Sequence, residues 1–258
     1  MLLALKVGNT TIGAAVFTGE VLRGDWQLAT RADLTADELG LSLTALMAQA
    51  GLQAQQIKGM IIGSVVPSLH RALIQMGQRY FQLEPAFLQH DWQLLPLDVS
   101  EPVSVGTDRI ADCLAGYERC GGPLLVIDFG TAVTFNLVST DGAFLGGAIA
   151  PEMELAATTL VKRTAQLFGV ELVPPESVIG RDTVENLKAG IVLGFIDLVR
   201  GLIVRFRGEY EENLRVIATG GWGQFFMAQI PEIELYDPLL TLRGLQIAWQ
   251  RRQAGESH

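Results

Sequence analysis

The pattern of apolar and polar positions along the chain occurs twice. Residues 124–142 align without a gap on residues 2–20. In each copy a continuous apolar stretch is followed by a charged residue, an apolar residue, a glycine and short polar side chains, and then by a second apolar stretch. Continuous apolar stretches of this kind are typical of buried strands. The repeat therefore predicts two related halves, which we expect to face each other across a cleft.

Turn residues and helical periodicity predict the other elements of the chain. The predicted strands are Leu2–Val7, Ile12–Phe17, Glu20–Trp26, Lys58–Val65, Phe87–Leu95, Leu124–Asp128, Ala132–Thr140, Ala143–Ile149 and Arg215–Thr219. The predicted helices are 35–50 with Asp33 or Thr35 as the cap, Leu69–Tyr80, Asp108–Cys120, Pro151–Leu167, Thr183–Arg207 and Leu242–Arg252. Strand meanders with interleaved helices, present twice, predict a duplicated α/β fold. Because Gly121-Gly122-Pro123 directly precedes the second copy, we expect domains at 1–120 and 121–258.

Composition and charge exclude several classes of function. The 258 residues carry a net charge of −9 and no cluster of Lys or Arg, which argues against a nucleic-acid surface. No apolar stretch approaches the roughly 20 residues of a membrane span, and the N-terminus lacks the features of a signal peptide. Cys113 and Cys120 are two helical turns apart, about 10 Å, which is too far for a disulfide. We therefore expect a reduced, cytoplasmic protein that binds neither nucleic acid nor membrane.

Three glycine turns directly follow predicted strands. They are Gly8-Asn9-Thr10, Gly130-Thr131 and Thr219-Gly220-Gly221. A single glycine after a strand is most often an ordinary turn. Three such turns at strand ends, two of them related by the repeat, favour a shared phosphate site, because glycine permits close backbone approach and the amide and hydroxyl groups donate hydrogen bonds.

A second candidate group is Gly106-Thr107-Asp108-Arg109, at the start of a predicted helix. One interpretation is structural, with Thr107 as the cap and Asp108 stabilised by the helix dipole. The other is catalytic, with Asp108 accepting a proton from a substrate hydroxyl and Arg109 binding a substrate carboxylate. Asp108 and the strand-end Asp128 could also supply the acidic groups of a metal–nucleotide site for phosphoryl transfer.

These motifs together resemble the type III pantothenate kinases of the acetate and sugar kinase/actin superfamily. The matching segments are Gly106–Arg109, Asp128–Thr134, Gly146–Pro151, Ile179–Thr183, Val216–Gly221 and the structural stretch Gly63–Pro67. The resemblance covers nearly the whole chain. It implies a duplicated ribonuclease H-like (actin-like ATPase) fold, with two similar domains around a central cleft.

The resemblance also implies an activity and a set of roles. The activity is ATP-dependent phosphorylation of pantothenate, the first step towards coenzyme A, with Asp108 as the general base. The potassium or ammonium ion that the family uses would bind Asp128, and Mg²⁺ would arrive with the nucleotide. Thr183 would contribute to the substrate site, across a homodimer contact. The other substrate-binding residues would be Gly106, Thr107, Asp108 and Arg109, and the ATP phosphates would be held by Gly8, Asn9, Thr10 and Thr131.

Three positions depart from the family pattern. Lys6 stands where the family has an aspartate that helps to hold Mg–ATP, Val99 stands in place of a tyrosine, and Glu152 in place of a glycine. Lys6 could bind a phosphate directly as a P-loop lysine does, could be a lost metal contact, or could extend to solvent. A non-catalytic binding or regulatory protein, such as a transcription accessory factor, and a sugar or small-acid kinase therefore remain as alternatives.

Overall fold

The computed structural model of the chain describes residues 1–164, 167–210 and 213–255. These residues form two compact units. Unit 1 consists of 1–120, 142–145 and the residues from Leu239 onward, and unit 2 consists of the described residues of 121–141 and 146–238. The domain limits expected from the sequence, 1–120 and 121–258, stay a prediction.

The described chain contains the following strands and helices. The strands are β1 Leu2–Val7, β2 Thr11–Thr18, β3 Val21–Ala29, β4 Gly59–Ser64, β5 Ala86–Phe87, β6 Leu124–Phe129, β7 Ala132–Val138, β8 Phe144–Pro151, β9 Arg215–Gly220 and β10 Leu235–Tyr236. The α-helices are α1 Ala36–Gln49, α2 His70–Met76, α3 Thr107–Cys120, α4 Met153–Arg163, α5 Thr183–Lys188, α6 Gly194–Glu209, α7 Gly223–Gln229 and α8 Leu240–Gly255. Short 3₁₀ turns cover Ala54–Gln56, Pro67–Leu69, His90–Trp92 and Pro102–Ser104, and π turns cover Gly77–Phe81 and Ala189–Leu193.

The predicted duplication is confirmed by the two sheets. Their strand orders are β3-β2-β1-β4-β5 and β8-β7-β6-β9-β10, so each strand has its counterpart in the same place. In the first sheet β1 pairs antiparallel with β2 and parallel with β4. In the second, β6 pairs antiparallel with β7 and parallel with β9. The repeated sequence pattern therefore encodes one mixed α/β sheet, built twice.

The central strand of unit 1 is covered on both faces, which explains its continuous apolar sequence. On one face, Leu3, Leu5 and Val7 join an apolar cluster with Leu39, Leu43 and Met47 of α1. On the other face lies α8, which contacts β1, β2 and β4 and also packs extensively on α3. The last helix of the chain therefore holds α3 against the first sheet.

Several predicted boundaries are wrong for local reasons. The strand expected over Phe87–Leu95 ends at Phe87, because a 3₁₀ turn and the left-handed residue Gln93 follow. Pro151 ends β8, and α4 begins only at Met153. The π turns interrupt the helices expected over Leu69–Tyr80 and Thr183–Arg207. Residues 165 and 166 of the helix expected over Pro151–Leu167 lie outside the described residues.

Glu152 has a structural role that explains one departure from the family pattern. Its carboxylate accepts hydrogen bonds from the backbone amides of Glu154, at 2.7 Å, and Leu155, at 2.8 Å. Amides of the first turn of a helix have no partner inside the helix, and a carboxylate there also interacts favourably with the helix dipole. Glu152 is therefore the N-cap of α4.

The cap expected for α1 is confirmed. Thr35 caps α1 through a reciprocal pair of hydrogen bonds with Glu38. Cys113 is buried and Cys120 is half-buried. None of the described helices is both long enough and apolar enough to cross a membrane.

Candidate active site

The turn after β1 is held by hydrogen bonds to its backbone carbonyls. The amide of Gly8 donates to the carbonyl of Thr11 at 2.9 Å, and the amide and hydroxyl of Thr30 donate to the carbonyls of Thr10, at 2.9 Å, and Gly8, at 2.7 Å. Asn9 and Thr10 are exposed. The turn is therefore held rigid by its backbone carbonyls, and its two polar side chains are accessible to a ligand.

Lys6 lies at the end of β1, between two glycines. Its partner in β2 is Gly13 and its partner in β4 is Gly63. Neither neighbour has a side chain, and a Cβ on Gly13 would lie 3.9 Å from the Cβ of Lys6, which is half-buried. The structure thus places Lys6 two residues before the turn at Gly8.

The start of α3 is joined to the end of β4. The hydroxyl of Thr107 donates to the carbonyl of Ser64 at 3.5 Å, and Ser64 is the partner of Val7 in the parallel pair of β4 with β1. The carboxylate of Asp108 accepts a hydrogen bond from the amide of Arg109 at 2.9 Å. Unit 1 therefore brings together two groups that are far apart in sequence, the strand end that carries Lys6 and the helix start that carries Asp108.

Arg109 is held in a half-buried position. Its guanidinium lies 5.1 Å from the ring centroid of Phe144, a cation–π contact. Burial lowers the pKa of Arg109, and Cys113 and the carboxylates of Asp108 and Asp112 act in the opposite direction. An arginine keeps its proton under such shifts, so Arg109 is a fixed positive charge able to bind a carboxylate.

Asp128 occupies in unit 2 the place that Lys6 occupies in unit 1. It is the last residue but one of β6, is buried, and pairs with Thr134 of β7 and Thr219 of β9. The turn Gly130-Thr131 follows at once, and Thr131 is exposed. The equivalent positions of the repeat therefore carry opposite charges.

Gly220 shapes the surroundings of Asp128. Its φ is +86°, a conformation that side chains other than glycine rarely adopt. A Cβ at this position would lie 2.5 Å from Asp128 Oδ1 and 2.5 Å from the backbone of Phe129. The hydroxyl of Tyr236 donates to the carbonyl of Gly220 at 3.1 Å. Burial, then the charges of Asp237 and Asp128, raise the pKa of Tyr236, so it stays a proton donor at neutral pH.

The residues around Asp128 fit a cation that keeps part of its coordination shell from other sources. Among the described residues, no group of three His, Cys, Asp or Glu side chains could hold a metal ion. A single buried carboxylate beside an exposed threonine turn suits an ion that also takes oxygens from water or from nucleotide phosphates. Asp128 therefore fits the cation role expected of it.

Thr183 lies at the start of α5 in unit 2. The preceding residue, Asp182, caps the helix by accepting a hydrogen bond from the amide of Glu185 at 2.9 Å. The amide of Arg181 donates to the carboxylate of Glu185 at 2.7 Å. Thr183 is itself exposed, on a helix start fixed by these hydrogen bonds.

Sequence reasoning missed three partners of the candidate residues. They are Phe144 beneath Arg109, Tyr236 on Gly220, and Thr241, which binds Asp112. Only the last left a signal: Asp112 stands in an otherwise apolar helical stretch, Ile110–Leu114, and so marks a buried polar contact.

Solved structures identify the fold. The chain is similar over 98% of its length to a structure described as a Baf family transcriptional activator from Campylobacter jejuni, with a TM-score of 0.63 and 19% identity. It is also similar to component A of the (R)-2-hydroxyglutaryl-CoA dehydratase of Acidaminococcus fermentans, with a TM-score of 0.52, 12% identity and 98% of each chain covered. The duplicated sheets have the fold of the actin-like ATPases and sugar kinases.

Sequence relatives identify the family within that class. The family model described as type III pantothenate kinase matches residues 2–205. The type III pantothenate kinase of Thermomicrobium roseum is 42% identical over 253 residues, which is 97% of this chain and 97% of that protein. The chain belongs to the type III pantothenate kinase family.

We predict that Gly220→Ala displaces Asp128 and the end of β6. The added Cβ is strained by the backbone conformation and crowds the carboxylate, so the free energy of unfolding should fall by about 1–3 kcal/mol. The matched control is Gly221→Ala, because a Cβ there meets nothing within 4 Å. Urea unfolding of both variants checks this, and equal stabilities of the two would contradict it.

Proposed function

We propose that this protein transfers the γ-phosphoryl group of ATP to the primary hydroxyl of pantothenate, which gives 4′-phosphopantothenate and ADP. This is the first committed step towards coenzyme A. The observation that carries the proposal is family membership over nearly the whole chain, together with the helix start Gly106–Arg109 held at the end of β4. Phosphoryl transfer depends chiefly on positioning and charge, which such a rigid helix start provides.

Asp108 is the proposed general base. Its carboxylate accepts the proton of the pantothenate hydroxyl while the hydroxyl oxygen forms a bond to the γ-phosphorus, and the bond from that phosphorus to the bridging oxygen of ADP breaks. Asp108 is half-buried in the first turn of α3, and its carboxylate accepts a hydrogen bond from the amide of Arg109 at 2.9 Å. It is therefore held in one place for this role.

Arg109 is proposed to bind the carboxylate of pantothenate. Its guanidinium is fixed over Phe144, and a planar, permanently charged fork suits a carboxylate. Gly106 and Thr107 would line the same substrate site. Thr183 would complete it from a second copy of the chain.

The strand-end turns are proposed to bind ATP. Gly8, Asn9 and Thr10 of unit 1 and Thr131 of unit 2 offer amide and hydroxyl donors to phosphate oxygens. Mg²⁺ carried by the nucleotide and a monovalent cation at Asp128 would neutralise part of the phosphate charge. Lys6 would add a direct positive charge at the phosphates.

Lys6 also favours a second candidate function. A lysine where an acidic residue would contact Mg–ATP reverses the local charge, and it could leave a nucleotide-binding protein that transfers no phosphate. A binding or regulatory role in the cytoplasm is therefore the alternative proposal.

A coupled ADP-release assay tests the proposed function. With pantothenate and Mg–ATP, we expect ADP release that requires pantothenate and is stimulated by potassium. If the protein binds ATP but releases no ADP in response to pantothenate, the result would instead support the alternative of a non-catalytic binding protein.

Asp108→Asn is expected to lower turnover by about 10²-fold or more while the fold is retained, because the amide keeps the shape but accepts no proton. Asp91→Asn, the same change at an exposed residue of unit 1, should leave turnover unaltered. Steady-state kinetics and circular dichroism on both variants provide the measurement. Turnover of Asp108→Asn within a few-fold of the wild type would remove this residue from the role of base.

Three variants distinguish the roles open to Lys6. If its ammonium group binds a phosphate, Lys6→Ala should weaken ATP binding by about 1–3 kcal/mol, the range of a charge-assisted hydrogen bond. If the position is a lost metal contact, Lys6→Asp should raise activity. Lys58→Ala, at an exposed lysine of unit 1, is the control. Calorimetric titration with ATP gives the affinities, and equal affinity of the wild type and Lys6→Ala would exclude phosphate binding.

A homodimer is expected through unit 2. Leu155 is 51% and Ile179 76% exposed, and a Cβ on Gly190 or Gly194 would meet nothing within 4 Å, so this surface has apolar area and room for a close contact. Sedimentation should give a particle of twice the 28.0 kDa chain mass. Leu155→Asp should shift it towards the monomer, whereas Leu41→Asp, on the exposed face of α1, should not. A wild-type monomer at micromolar concentration would refute the dimer.

A further inference from the structure

A buried carboxylate lies one helical turn beyond Asp108. Asp112 is 0% exposed, and its Oδ1 accepts a hydrogen bond from the hydroxyl of Thr241 at 2.5 Å. Thr241 is at the start of α8 and is itself 4% exposed. Burying a carboxylate away from solvent costs free energy unless the carboxylate is hydrogen-bonded. Because breaking this bond would leave the buried carboxylate without the Thr241 donor, the bond stabilises the contact between α3 and α8.

The backbones of the two helices meet at the same place. A Cβ on Gly244 would lie 1.9 Å from the carbonyl oxygen of Ala111, the residue next to Asp112. Gly244 follows Thr241 by about one helical turn. The hydrogen bond and the backbone contact therefore form one contact zone, which we call the α3–α8 clasp and define as Ala111, Asp112, Thr241 and Gly244.

The clasp lies at the functional end of α3. Helix α3 begins at Thr107, so Asp108 and Arg109 belong to the turn directly before the clasp. Arg251 of α8 also donates a hydrogen bond to Glu118 at 2.6 Å, between exposed side chains near the far end of α3. Exposed ion pairs of this kind contribute little to stability. The buried hydrogen bond between Asp112 and Thr241 lies within one helical turn of Asp108 and restrains that turn.

Asp112 also acts on Arg109 through its charge. The carboxylates of Asp108 and Asp112 both oppose the effect of burial on the Arg109 guanidinium. Because Arg109 is half-buried over Phe144, a shift of Asp112 changes the electrostatic surroundings of this fixed charge.

We infer that Asp112 and Thr241 are positioning residues for the phosphoryl acceptor site: their hydrogen bond fixes the first turn of α3 and so orients Asp108 and Arg109 towards the substrate. The inference rests on the proposed function, since it assigns these residues an effect on that reaction. It gives the last helix of the chain, 129 residues away from Asp112, a part in substrate positioning.

Kinetics of matched variants test the inference. Thr241→Val removes the donor and keeps the shape, and we expect kcat to fall about 10- to 100-fold and KM for pantothenate to rise, as for a displaced reacting group. KM for ATP should stay within about twofold, and Thr241→Ser should restore kcat. The control is Thr44→Val, which removes a threonine hydrogen bond within α1. Asp112→Leu, which removes the acceptor at a similar side-chain volume, should reproduce the kinetic pattern of Thr241→Val even if the latter folds poorly.

Hydrogen exchange provides a readout that does not need activity. Amides of residues 107–116 should exchange faster in Thr241→Val than in the wild type, and at the wild-type rate in Thr44→Val. Unchanged exchange there, or faster exchange with unchanged kcat, would overturn the positioning role. If the wild-type protein does not phosphorylate pantothenate, the proposed function is wrong. Hydrogen exchange at residues 107–116 then still tests whether the α3–α8 clasp restrains the first turns of α3.

Discussion

The pairing of one buried strand with two unlike neighbours, in each sheet, is the constraint on which the rest of the structure depends. β1 and β6 each have an antiparallel partner on one side and a parallel partner on the other. Backbone groups in a dry core need hydrogen-bond partners, so this pairing fixes where each strand ends. The strand ends in turn set the positions of the turns at Gly8, Gly130 and Gly220. The start of α3 is positioned by the end of β4, to which Thr107 donates a hydrogen bond.

The two copies of the repeat share the same backbone arrangement but carry opposite charges at one equivalent position. Lys6 and Asp128 take equivalent places before equivalent turns, and one is positive and the other negative. A positive group at a strand end suits direct contact with a phosphate, whereas a buried carboxylate suits a cation. We interpret the family membership and the intact helix start as favouring an enzyme.

Sequence reasoning succeeded where the signal was local. Strand β1, the turn after it and the cap Thr35 are encoded within a few residues, and the structure has them where they were predicted. The π turn at Ala189–Leu193 was missed because the same periodicity fits a regular helix. The hydrogen bond between Asp112 and Thr241 joins residues that are 129 positions apart. The sequence pattern indicates that Asp112 makes a buried polar contact, but it does not identify Thr241 as the partner.

Phosphorylation of a hydroxyl of pantothenate is the function that we propose for this protein. Phosphorus NMR on a reaction with ATP and pantothenate tests it most directly, because the signal reports the bond that forms. We expect a new phosphomonoester resonance that grows in step with ADP and requires pantothenate. Conversion of ATP to ADP and inorganic phosphate with no phosphomonoester resonance, or no loss of ATP at all, would contradict the proposed reaction.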